Sequence, residues 1–157
     1  GGAAGALPPV IGWAAVTGDV TLEPLVLFLL IFLWTPPHFW ALAIVKEEDY
    51  RRAGVPMLPV VAGPAAPRRQ ILLYSALLIP AGLQPWLLGF SGLVYAAAAL
   101  ALGVVLVVRA LAVVRETEGE RARRAAGRLF GFSILYLFGL FGALVADHVV
   151  AAAGLLG

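Results

Sequence analysis

Long apolar blocks separated by short polar stretches dominate this chain. Leu22–Val45 carries one charge, Glu23, before the polar stretch that begins at Lys46. Its 24 residues make a helix of roughly 36 Å at about 1.5 Å per residue, enough for a hydrocarbon core about 30 Å thick. Ile71–Phe90, Leu93–Val114 and Leu129–Ala146 are three further blocks of spanning length. Ala3–Val16 is too short for a clear span and is interrupted by Pro8-Pro9. It reads as the remainder of a helix that continues upstream, or as one that unwinds near the bilayer edge. The pattern predicts an all-α fold, a polytopic transmembrane helix bundle with segments at 3–16, 22–45, 71–90, 93–114 and 129–146.

Charge placement sets the expected topology. All 11 Lys and Arg residues lie between Lys46 and Arg128, on two stretches only: Lys46 to Arg69, then Arg109 to Arg128. The turn Gly89–Gly92, the segment Thr17–Leu22 and the tail after Leu129 carry none. Both basic stretches therefore fall on one face, which the positive-inside rule makes cytoplasmic. Arg109 lies about a turn inside its span and can snorkel to the surface. Glu116–Arg124 (ETEGERARR) reads most simply as a solvated turn with helical ends, with anionic lipid headgroups as the alternative contact.

Composition agrees. Hydrophobic residues make up 62% of the chain, charged residues 13%, and the mean hydropathy is +0.96. A typical soluble domain is about 25% charged, so this is an integral membrane protein with no sign of nucleic-acid binding. The absence of cysteine excludes disulfides, thiolate metal sites and a cysteine nucleophile. The opening GGAAGALPP has neither a basic n-region nor an initiator Met, and reads like the middle of a gene. Small residues at Gly1, Gly2, Gly5 and Gly12, at Ala96–Ala99, at Gly127 and Gly131, and at Gly139, Gly142 and Ala143 favour close helix approach.

Candidate chemistry concentrates in WTPPHFWALAIVKEEDYRRAGVPMLPVVAG, residues 34–63. Glu47, Glu48 and Asp49 are of the type that holds a hard divalent cation, and Lys46, Arg51 and Arg52 of the type that binds anionic oxygens. Trp34, Phe39, Trp40 and Tyr50 flank them, and aromatic faces stabilise a developing cation. Transfer of a prenyl group needs these parts: cations to neutralise a diphosphate leaving group, bases for the departing oxygens, and a dry apolar pocket. An interfacial loop with an aromatic belt accounts for the spacing equally well. Pro36-Pro37 removes two backbone donors in mid-span and predicts a kink beside a cavity or another helix. His38, directly after it, is the ionisable group between Glu23 and Lys46, suited to proton handling or to contact with a bound ring system, with a neutral histidine donating to a neighbouring helix carbonyl as the structural alternative. His148, beside Asp147, reads as interfacial.

The blocks GGAAGALPPVIGWAAVTG, LWTPPHFWALAI, DYRRAGVPMLPVVAG and QILLY resemble the UbiA family of intramembrane prenyltransferases, in its heme-farnesylating branch. They stand in the family's order over about the first half of the chain. The resemblance implies an all-helical bundle of about nine spans. It also implies transfer of a farnesyl group from farnesyl diphosphate to a vinyl group of heme B, assisted by Mg2+, to give heme O. Heme A synthase or terminal oxidase assembly would then take the product. On this basis Asp49, with Glu48 and Glu47, faces metal and diphosphate, while Lys46, Arg51 and Arg52 bind the anion. Tyr50 lies at the pocket wall, and His38, Trp34 and Trp40 lie deeper, towards tetrapyrrole or isoprenoid. Gly54, Pro56 and Pro59 shape the loop over the mouth, and Val61–Arg69 is a candidate to order on substrate binding.

Two departures accompany the resemblance. Many family members carry D-x-x-x-D in this loop, but Ala53 stands four residues after Asp49. The family's N-x-x-D-x-x-x-D motif has no match here either, so the chain reads as a C-terminal half that is inactive alone. Another UbiA-type aromatic prenyltransferase, a small proton-coupled transporter hinged at Pro36-Pro37, and a structural membrane subunit remain as alternatives.

Overall fold

With no water available inside a bilayer, a spanning segment satisfies its backbone internally, and these apolar blocks do so as helices. The computed structural model describes residues 2–54 and 65–153, apart from the Arg51 side chain. Among the described residues every regular element is helical: α1 (Gly2–Ala6), α2 (Pro8–Thr17), α3 (Leu22–Val45), α4 (Glu47–Arg52), α5 (Ala65–Leu87), α6 (Leu93–Arg115) and α7 (Gly119–Ala152). Helices α3, α5, α6 and α7 are long and apolar enough to cross a membrane. They form a ring in which α3 packs on α5, α5 on α6, α6 on α7, and α7 back on α3. The short α1 and α2 lie against α3.

Leu30, Ile71, Leu78, Leu106, Leu129 and Leu140 fill the ring's interior together with two buried tyrosines. The phenol of Tyr95 donates to the Gly82 carbonyl at 2.8 Å, and that of Tyr136 to the Leu78 carbonyl at 3.1 Å. Both hydroxyls thus find acceptors on α5, as buried polar groups require. Gly82 makes room for this: a Cβ there would lie 3.1 Å from the Tyr136 hydroxyl.

Two helix starts differ from the sequence expectation, whereas α3 keeps its expected bounds. Helix α3 runs through Pro36-Pro37 without a break; Thr35 Oγ1 donates to the Ile31 carbonyl at 2.8 Å beside them, and Pro37 is buried against its neighbours. Helix α5 begins at Ala65, six residues early, because Pro67 is tolerated in a first turn and Arg68 is anchored. Helix α7 begins at Gly119, ten residues early, so most of ETEGERARR is helix and only 116–118 is not. The run of Ala, Glu and Arg there suits a helix, and Arg124 Nε meets Glu120 at 3.1 Å one turn away.

The charged ends do gather on one face. The end of α3, α4, the start of α5, the α6–α7 connection and the start of α7 border a common cavity. Helix α6 is capped at both ends by other helices. At its N-terminus, buried Asp147 of α7 accepts from the amides of Gly92 and Tyr95. A Cβ at Gly92 would sit 3.0 Å from Asp147 Oδ1, so glycine permits the approach. At its C-terminus, Arg68 of α5 donates to the carbonyls of Val113, Glu116 and Thr117. An acid at the positive end and a base at the negative end both match the helix dipole. Asp147→Ala leaves the buried Tyr95 amide and the more exposed Gly92 amide without that acceptor, and is expected to lower bundle stability by about 1 kcal/mol or more. Denaturation in mixed micelles measures it; an unchanged midpoint would show the cap to be irrelevant.

Candidate active site

Lys46 caps α3, its amide bonding the Leu42 carbonyl, and the chain turns at once into α4. The amides of Tyr50 and Ala53 bond the carbonyls of Lys46 and Asp49, and Gly54, at φ +66°, ends the turn in the left-handed region. Six polar residues are thereby held at the mouth of an apolar helix. Lys46 Nζ lies 3.2 Å from Asp49 Oδ2, and Arg52 Nε lies 3.0 Å from Glu48 Oε1; both pairs are exposed. Pro56 and Pro59, and Val61 to Pro64, lie outside the described residues, as does the Arg51 side chain; Ala65–Arg69 begin α5.

Glu47 and Glu48 border a cavity of about 350 Å³ that also meets Arg68, Thr117, Gly119, Ala122 and Arg123. Arg68, Thr117 and Arg123 join this site only through the fold, because nothing local in the sequence links them to residues 46–52. Arg68 is buried and its guanidinium serves the α6 carbonyls, so it braces the cavity wall. Arg123 is exposed on α7 and supplies positive charge opposite the glutamates.

His38 lies seven residues before the end of α3, roughly 10 Å deeper. Its ring stacks on Trp34 at 4.3 Å and on Phe130 at 4.5 Å. Ser133 ties the group together. Its carbonyl accepts from Trp34 Nε1 at 2.7 Å, and its Oγ lies 2.6 Å from His38 Nδ1. The same Oγ donates its one hydrogen to the Phe130 carbonyl at 2.6 Å. With that hydrogen spent on Phe130, the Oγ accepts from Nδ1–H of His38, which fixes the orientation of the ring and leaves Nε2 as the nitrogen not engaged by Ser133. Trp40 faces elsewhere, its ring edge-on to Tyr74 of α5 at 5.4 Å. Trp34 and His38 thus share a cluster with α7, whereas Trp40 belongs to the α3–α5 side.

Glu47, Glu48 and Asp49 do not close on a common point. Among the described residues no three His, Asp or Glu side chains form a group able to hold a metal ion. Mg2+ is commonly held by one or two carboxylates plus phosphate oxygens, not by an all-protein cage. The exposed carboxylates of Asp49 and Glu48 fit that open mode.

A charged mouth above an aromatic, histidine-containing cluster suits a substrate with an anionic head and a greasy body. The model of the UbiA prenyltransferase family matches residues 1–138. The chain belongs to that family. It is 61% identical over 148 residues to a protoheme IX farnesyltransferase of Methylobacterium radiotolerans, covering 94% of this chain and 47% of that one. It is 59% identical over 152 residues to protoheme IX farnesyltransferase 2 of Nitrobacter winogradskyi, covering 97% and 49%. The corresponding protein of Mesorhizobium japonicum is 57% identical over 157 residues, covering 100% and 50%. No solved structure matches. The chain spans about half the length of the curated relatives it matches. UbiA membership leaves the transporter and purely structural readings without support.

Proposed function

We propose that the full-length protein containing these residues is an intramembrane protoheme IX farnesyltransferase, and that residues 1–157 form the C-terminal portion of its membrane domain. Identity of 57–61% to proteins of that name across nearly the whole chain carries the reading. The charged mouth over the His38 cluster supports it.

In the proposed reaction the C1–O bond of farnesyl diphosphate breaks and diphosphate leaves with the electron pair. A vinyl carbon of heme B bonds to C1, water adds to the neighbouring carbon, and the water gives up a proton. Lys46, Arg51 and Arg52 attract the diphosphate, and Asp49, assisted by Glu48 or Glu47, faces the metal-bound head. Mg2+, when bound, neutralises charge on the leaving group. Tyr50 and Trp40 wall the path of the isoprenoid. Trp34 and His38 meet the tetrapyrrole, and His38 Nε2, the ring nitrogen not engaged by Ser133, accepts the proton of the added water.

The mouth would open on the cytoplasmic side of a bacterial inner membrane, following the basic residues of α4 to α7. Heme O would pass to a terminal oxidase directly or through heme A synthase. Heme extracted from cells expressing the full-length gene tests the reaction by mass spectrometry. Accumulation of a hydroxyfarnesylated heme, dependent on the gene, is expected; heme B alone would overturn the proposal.

A further inference from the structure

A second cavity, of about 300 Å³, opens between α6 and α7 on the basic face. Arg109, Ala112 and Glu116 border it from α6 and its C-cap, at successive positions of one helix face. Arg121, Arg124, Ala125 and Arg128 border it from one face of α7. Ala112 and Ala125 stand at the middle of the two stripes, so short side chains leave the hollow and long ones rim it. Four guanidinium groups meet one bordering carboxylate, Glu116. Arg124 already pairs with Glu120, whereas Arg109, Arg121 and Arg128 have no carboxylate partner among the described residues.

The cavity sits where α6 leaves the membrane. Arg109 follows the exposed Val108 within an apolar run, and its guanidinium carbon lies 6.0 Å from the Phe132 ring centroid. Below it, Val105 on α6 and Leu135 on α7 continue as an exposed apolar strip. A concentrated positive hollow above a greasy surface matches one chemistry: a phosphate joined to acyl chains.

From this arrangement we infer that Arg109, Arg121, Arg124 and Arg128 form a site for the phosphate headgroup of an anionic phospholipid. Its acyl chains lie along Val105, Phe132 and Leu135. The inference is independent of the transferase reading. A water-soluble phosphoanion would satisfy the arginines but would leave the apolar strip unused.

The test uses full-length protein reconstituted in vesicles of equimolar phosphatidylcholine and phosphatidylglycerol, then extracted and analysed for bound lipid by native mass spectrometry. Phosphatidylglycerol is expected to be retained over phosphatidylcholine. Arg121→Gln and Arg128→Gln, both on exposed side chains, are each expected to weaken retention by about fivefold, near the contribution of one surface-bound base. Arg115→Gln removes the same charge from the end of α6 outside the cavity and is expected to change little. Equal losses in all three variants, or no loss in any, would overturn the site. Release of the lipid by inorganic diphosphate would overturn the lipid assignment and make this a soluble-anion site. Circular dichroism of each variant separates lost binding from lost folding.

Discussion

Asp49→Asn in the full-length protein is expected to lower farnesyl transfer by about a hundredfold or more, with membrane insertion and thermal stability nearly unchanged. The substitution keeps the shape of the side chain and removes its charge. Stability should hold because Asp49 is exposed and its bond to Lys46 joins two exposed groups, an arrangement worth at most about 1 kcal/mol. Turnover should fall because a carboxylate facing metal and diphosphate acts on charge that develops as the leaving group departs. Heme O formed per unit of purified protein, measured beside the thermal midpoint, checks both halves. Normal turnover would remove Asp49 from the site. A fall in both quantities together would make its role structural.

The second large effect concerns Arg68, which the sequence placed only within the stretch Val61–Arg69. Arg68→Ala is expected to lower stability by about 3 kcal/mol or more, because three charge-assisted bonds are lost at once. The carbonyls of Val113, Glu116 and Thr117, at 2.7, 2.6 and 3.1 Å, would lose the partner that joins α5 to the end of α6. Arg68→Lys should recover only part of the loss, since a compact ammonium lacks the planar fork that reaches separate acceptors. Unfolding in mixed micelles measures the series. Equal midpoints for Arg, Lys and Ala would mean that the clamp contributes nothing. The cavity bordered by Glu47, Glu48 and Arg123 shares this wall, so loosening it should also weaken binding of the proposed farnesyl diphosphate.

The two variants probe different links between sequence and function. Asp49 belongs to a short helix that begins immediately beyond an apolar span, so its neighbours are set by the next few residues. Arg68 donates to carbonyls 45 to 49 positions away. A stability loss at Asp49 or a purely catalytic loss at Arg68 would each reverse that assignment.

Local composition alone determined the membrane class, the position of α3 to the residue, and the gathering of bases on one face. Apolar length and the sorting of Lys and Arg respond to the bilayer, which every segment meets separately. The tertiary structure decided which polar side chains serve the scaffold and which remain at the mouth. Asp147 and Gly92 are 55 positions apart, and His38 and Ser133 are 95. Their meeting depends on how four helices close into a ring, and no periodicity within one helix encodes it. The same closure separated His38 from Trp40: two residues along a helix is about 200° of turn, so one faces α7 and the other α5. It also brought Arg109 to Arg121, Arg124 and Arg128 around two alanines, because side chains from antiparallel neighbours share a surface only after the helices pack.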